Sequence, residues 1–138
     1  KKGERGKTLK ISERQNEFDY CVIGIAPDRK IVRKRITERL NFRLKNGLIE
    51  EVENLLKYGL SRERLDYFGL EYKYIGQFLD CTLNQNDMFQ KLNSAIIQFS
   101  KRQMTFYRRM EKRGIKINWI ENAEMSSAQE ILSNYFPK

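Results

Sequence analysis

Histidine is absent from the 138 residues. With it go the commonest general base and the commonest metal ligand. Only two cysteines occur, Cys21 and Cys81, far apart in the chain. They make neither a metal pair nor a disulfide framework. Both sit in apolar stretches, which predicts small buried thiols in a reducing compartment. No apolar run is long enough to span a bilayer. Residues 1–10 are basic and polar with no apolar segment behind them, so no secretory leader is legible and a cytoplasmic location is expected. A glycine-rich phosphate loop is missing too, because residues 3–7 lack the Gly-Lys-Ser/Thr ending at the right spacing. No nucleophile–base arrangement and no metal-ligand set stands out, so no catalytic residue and no metal ligand is assigned within the chain. The chain also lacks an initiator Met, which leads us to expect a portion of something longer.

What is present is positive charge. The formal net charge is +9 and the pI about 9.6, on a composition 40% hydrophobic and 33% charged. That describes a soluble globular chain of about one domain's length. The balance favours polyanionic partners, nucleic acid ahead of membrane, or else a generally basic surface with no specific partner.

Residues 1–17 are polar and glycine-interrupted and read as a flexible lead-in. Residues 18–26 are rich in β-branched and aromatic side chains, and from Tyr20 onward nearly continuously apolar, as in a parallel strand buried on both faces. Asp28 can cap a helix over 29–46, with Ile31, Val32, Ile36, Leu40 and Leu44 at helical spacing and Asn46-Gly47 as a left-handed stop. A second helix is expected over 49–58, then a polar connector over 61–64. A third helical piece over 67–80 has Phe68, Tyr72, Ile75, Phe78 and Leu79 as candidate core, and Gly69 and Gly76 within it. After a turn at 82–86, a long helix over 87–112 carries Met88, Leu92, Ala95, Ile96, Phe99, Gln103, Phe106 and Met110 as an expected core stripe. A strand over 115–121 holds the single tryptophan, Trp119, and Ser126 or Ser127 is expected to cap a last helix. Two strands alone make a poor sheet. The apolar run over 20–26 therefore asks for strand neighbours that these residues do not supply.

Two basic patterns carry chemistry. On the long helix, Gln98, Lys101, Thr105, Arg108 and Lys112 fall along one face, with Arg102, Arg109 and Arg113 beside it. Cations and hydroxyls so placed can follow a phosphate backbone. Tyr107 close by can stack on a base. A solvated face of an amphipathic helix gives the same pattern. On the first helix, Arg35 and Arg39 are four apart and can clamp a diphosphate bidentately, or belong to an ordinary salt-bridged face with Glu38.

These segments, in this order, resemble the tRNA dimethylallyltransferase (isopentenyltransferase) family from about Phe18 to Glu121. Residues 23–29 look like its strand and helix start. Arg35-Ile36 with Arg39 is similar to its R-I-x-x-R stretch, and residues 47–52 (GLIEEV) to its G-L-x-x-E-V stretch. Residues 100–106 (SKRQMTF) are similar to A-K-R-Q-x-T-W, and Ile117-Asn118-Trp119 to the closing strand. The resemblance implies an α+β, mostly helical C-terminal portion over 18–138. Its two strands would belong to the parallel sheet of a larger P-loop-type α/β transferase. It implies transfer of a dimethylallyl group from dimethylallyl diphosphate to the exocyclic amine of an adenosine beside the anticodon. The phosphate loop, general base and Mg²⁺ would lie in an N-terminal half outside this sequence. It places Arg39, with Arg35, at the diphosphate. It places Lys101, Arg102, Gln103, Thr105, Arg108 and Gly69 on the tRNA anticodon stem-loop. Two departures stand out. Asp66-Tyr67-Phe68-Gly69-Leu70 replaces R-x-x-G-Y, and Ile96-Ile97 replaces Thr-Arg ahead of K-R-Q. Removing those cations leaves open a non-catalytic RNA-binding or interaction module of the same descent.

Overall fold

A computed structural model describes residues 19–136. The expected lead-in and Phe18 lie outside them. The order is β1 (Val22–Ile25), α1 (Arg29–Lys45), α2 (Leu48–Lys57), α3 (Arg62–Phe68), α4 (Leu70–Leu79), α5 (Gln85–Lys112), β2 (Ile117–Ile120) and α6 (Met125–Tyr135). The α+β, mostly helical architecture is the expected one. The strands are parallel, with Val22 opposite Ile117 and Gly24 opposite Trp119. Parallel strands need a crossover, and α1 to α5 provide it. Gly24 is glycine because a Cβ there would stand 2.5 Å from ring carbons of Trp119.

β1 is shorter than the apolar run suggested, and its burial is incomplete, since Ile25 is 51% exposed. Among the described residues β1 pairs with β2 alone. One neighbouring strand leaves the outer edge and part of the faces uncovered. The run's composition is suited to a wider sheet than these residues build.

Asp28 starts α1 as its sequence position required, its carboxylate accepting from the Lys30 and Ile31 amides at 2.7 and 3.4 Å. Gly47, at φ +91°, turns the chain into α2. The core gathers one to two residues from each of α1 to α5: Leu40, Leu48, Val52, Leu65, Ile75, Met88 and Leu92. Each such side chain contributes about 1.5–3 kcal/mol by leaving water.

Several expectations need correction. Residues 61–64 are not a connector: Ser61 accepts from the Arg64 amide at 3.4 Å and caps α3. The single helix over 67–80 is broken at Gly69, whose φ of +136° is closed to residues with a Cβ. The break turns Phe68 outward, 58% exposed and against Tyr72 with ring centroids 5.8 Å apart. Ile31 is likewise exposed. α5 begins at Gln85, two residues early, because Asn84 accepts from the Asp87 amide at 2.9 Å. Glu124, not a serine, precedes α6, and Ser126 and Ser127 fall in its first turn. Cys81 is exposed in a left-handed turn (φ +60°) after α4, and Cys21 is half-buried, so neither is a core thiol.

Arg62 ties α3 to α4. Its guanidinium bonds Asp80 at 3.0 Å, Asp66 at 3.4 Å and the Lys73 carbonyl at 3.2 Å, and it lies flat on Gly76, inside α4. The Asp80 carboxyl is held below its ordinary pKa by the Thr82 hydroxyl first, with Arg62 adding and burial opposing.

Candidate functional site

α1, α2, α4 and α5 enclose a cleft of about 200 Å³. Val32, Ile36, Leu40, Leu48 and Ile96 give it an apolar floor, and Arg35, Arg39, Arg43 and Glu71 a charged rim. The helical repeat of α1 puts Arg35, Arg39 and Arg43 on one stripe, each about a turn from the next. Both expected diphosphate residues therefore meet at one place. Arg43 was not among those expected, although it continues the spacing of Arg35 and Arg39 by a further four residues. Glu71, from the second residue of α4, lies 3.8 Å from the Arg39 guanidinium. Arg43 bonds Glu51 of α2 at 2.9 Å. Glu51 also accepts a short bond from the Tyr72 hydroxyl. That bond, ahead of burial and the Glu51 charge, pushes the Tyr72 phenol above its ordinary pKa, with Arg43 opposing. Among the described residues Arg35 has no carboxylate partner.

The basic half of α5 begins just beyond the cleft. Ile96 lines the cleft, and Lys101 is five residues, about 7.5 Å of helix, further on. Lys101, Arg102, Gln103, Thr105 and Arg108 are all exposed. They do not share one face. At 100° per residue, Lys101, Thr105 and Arg108 point together. Arg102 lies to one side with its guanidinium 5.9 Å from the centroid of the Phe99 ring. Gln103 falls on the stripe of Phe99 and Phe106. Thr105 donates to the Lys101 carbonyl at 3.0 Å, which leaves the hydroxyl's lone pairs outward.

The expected core stripe of α5 holds only in its first half. Met88 and Leu92 are fully buried, but Phe99 and Phe106 are 48% and 59% exposed. Glu71 at the start of α4 and Ile96 line the same cleft, and the exposed Phe99 and Phe106 lie further along α5 than that level. Tyr107 is turned toward β2, edge-on to Trp119 at 6.3 Å, instead of standing free to stack. The indole N–H of Trp119 donates to Glu111 at 2.7 Å and fastens the end of α5 to the sheet. Gly69 sits two residues before Glu71, at the cleft end of α4. No helix is long and apolar enough to cross a membrane, and no group of three or more Asp, Glu or Cys could hold a metal, among the described residues.

A cationic cleft lies beside an exposed basic helix, and the family model for IPP transferase matches residues 2–110. The chain belongs to that family. It is 50% identical over 117 residues to a tRNA dimethylallyltransferase 2 of Trichlorobacter lovleyi, covering 83% of this chain and 38% of that protein. It is 51% identical over 113 residues to the tRNA dimethylallyltransferase 2 of Pelobacter propionicus, covering 80% and 36%. Among solved structures, the tRNA delta(2)-isopentenylpyrophosphate transferase of Staphylococcus epidermidis superposes with a TM-score of 0.69 at 23% identity, covering 85% of this chain and 37% of that one. The full-length tRNA isopentenylpyrophosphate transferase of Bacillus halodurans gives 0.67 at 21% identity, covering 83% and 36%. The chain thus spans less than two fifths of the relatives it matches, and the superpositions speak for the fold.

Proposed function

We propose that this chain is the tRNA-holding portion of a tRNA dimethylallyltransferase. Residues 18–138 would contribute an arginine contact to the prenyl diphosphate, while Mg²⁺, the phosphate loop and the general base come from protein outside these residues. The observation that carries the reading is the juxtaposition of the cleft rim, Arg35 and Arg39, with the exposed Lys101–Arg108 stretch about 7.5 Å further along α5. In such an enzyme the target adenine leaves its stack, and cations outside the channel hold the backbone. Arg39 meets the diphosphate. Glu71, beside it, is its counter-ion until a more highly charged anion arrives. Among the described residues Arg35 has no carboxylate to release, and it adds a second positive group to the same rim. On the α5 side, Lys101, Arg108 and the Thr105 hydroxyl follow the backbone, Arg102 and Gln103 reach it from the neighbouring stripe, and Gly69 lets RNA approach the α3–α4 turn.

The test is a prenyl-transfer assay in the protein read from the full open reading frame. Arg39→Ala should lower kcat and raise KM for dimethylallyl diphosphate while leaving tRNA affinity unchanged. Lys101→Ala with Arg102→Ala and Arg108→Ala should raise KM for tRNA more than tenfold. Unchanged turnover in the first variant would refute the diphosphate role, and unchanged KM for tRNA in the second would refute the tRNA role.

A further inference from the structure

Charge on α1 is far from balanced. Its 17 residues carry eight Lys and Arg and one acid, Glu38. Arg39 and Arg43 are drawn into ion pairs at the cleft, and Lys34 lies 3.8 Å from Glu38, both highly exposed. Among the described residues Lys30 and Arg33 have no carboxylate partner. The first turn contains no acid. Cations at that end oppose the helix dipole, so the stability of α1 does not account for them.

Their position relative to α5 follows from one bond. The Thr37 hydroxyl donates to the Asn93 side chain at 3.1 Å, which fixes the level at which the two helices touch. From that level the start of α1 leads back to Ala26, which bonds Ile120 of β2, and the end of α5 is tied to β2 by the Trp119–Glu111 bond, so both lead to the sheet and the helices run antiparallel. One turn back from Thr37 come Arg33 and Lys34, and two turns back Lys30. One turn on from Asn93 comes Ile97, and two turns on Lys101. At 1.5 Å per residue, Lys30 and Lys101 stand about 10 and 12 Å from that level in the same direction. They are therefore level with each other on the two helices. All four cations are exposed.

We propose that the first two turns of α1 form a second RNA-backbone contact, with Lys30, Arg33 and Lys34 holding phosphates across the α1–α5 groove from Lys101. The proposal rests on the reading of α5 as the tRNA face and widens that face to two helices. Cations on two helices flanking one groove suit a phosphate strand lying along it. A membrane-surface helix would instead set its cations around one broad apolar face, and α1 has basic side chains on every side.

The experiment measures binding of a fluorescent anticodon stem-loop RNA to the full chain across a salt series. Four proteins are compared: wild type, Lys30→Ala/Arg33→Ala/Lys34→Ala, Lys101→Ala/Arg102→Ala/Arg108→Ala, and a control of equal charge change, Lys45→Ala/Lys57→Ala/Lys91→Ala. Each phosphate that is no longer neutralised should lower the log–log salt slope by roughly 0.7–0.9, so the α1 variant is expected to flatten it by about 2–3 units. Circular dichroism should show wild-type helix content in all four, because every altered side chain is exposed. If α5 substitution flattens the slope and α1 substitution does not, the inference falls and the α5 reading stands. If α1 substitution flattens it and α5 substitution does not, the α5 reading falls and takes the shared groove with it. A control that flattens the slope as much as the α1 variant would show net charge alone at work and overturn the inference. So would an α1 variant that loses binding to phosphatidylserine vesicles while keeping wild-type RNA binding.

Discussion

Replacing Gly76 by alanine would test the clamp that holds α3 against α4. At an ordinary mid-helix site that change stabilises by about 1 kcal/mol. Here the new Cβ lands on the Arg62 guanidinium. The gain is available only if Arg62 leaves its bonds to Asp80, Asp66 and the Lys73 carbonyl. The Arg62, Asp66 and Asp80 side chains are 30%, 45% and 43% exposed. Solvent screening then limits each ion pair to about 0.5 kcal/mol, and the carbonyl bond adds about 1 kcal/mol. Breaking all three outweighs the propensity gain, so Gly76→Ala should destabilise by about 1 kcal/mol. Arg62→Ala removes the clamp outright at about 2 kcal/mol. In that background the three nearest atoms, all of the Arg62 guanidinium, are gone, and Gly76→Ala should stabilise by about 1 kcal/mol. The coupling is therefore about 2 kcal/mol, with a change of sign. Urea unfolding of the four proteins at one pH measures it from midpoints at constant m. A Gly76→Ala effect of the same sign in both backgrounds, with coupling under about 0.5 kcal/mol, would refute the reasoning. The clamp matters to the proposed RNA contact because it ties together the helices on either side of Gly69.

Tyr72 gives a pH prediction. Its folded pKa is raised, so its contribution is complete below the unfolded value near 10 and is lost as pH rises through the folded one. Tyr72→Phe should show a smaller fall in urea midpoint than wild type between about pH 9 and 11; equal falls would contradict the Glu51 bond as the cause. Gly24→Ala should drive the indole of Trp119 off β1 and break its bond to Glu111. Because Trp119 is the chain's single tryptophan, a red shift in emission reports it directly, with a stability loss of about 1–3 kcal/mol. Unshifted emission would mean that the strand pair tolerates a Cβ there.

The parts of this fold that are legible in the sequence are those set by local chemistry. Asp28 caps α1 by its own carboxylate, Asn46-Gly47 ends it, and the parallel strands announce themselves by β-branched runs. What is not legible depends on tertiary reach. Gly69 and Gly76 look alike in sequence. One breaks the helix at positive φ, and the other stays helical and yields to Arg62 the space a Cβ would take. Periodicity identifies the apolar face of α5 but not how far along it burial extends, so Phe99 and Phe106 look like members of a core they lie beyond. That Arg35 and Arg39 share one face of α1 is readable from their spacing alone. Glu71 and the cleft floor are not, since they are brought there by a different helix.

If the basic half of α5 grips the anticodon arm, as proposed, RNA bound to the protein must lie against that helix. Photo-cross-linking of a thiouridine-substituted anticodon stem-loop to the full chain, with adducts mapped by mass spectrometry, tests it most directly. Adducts should concentrate within residues 98–112 of α5 and be absent at high salt. Adducts concentrated on α2 or α6, with residues 98–112 unlabelled, would contradict the proposed grip.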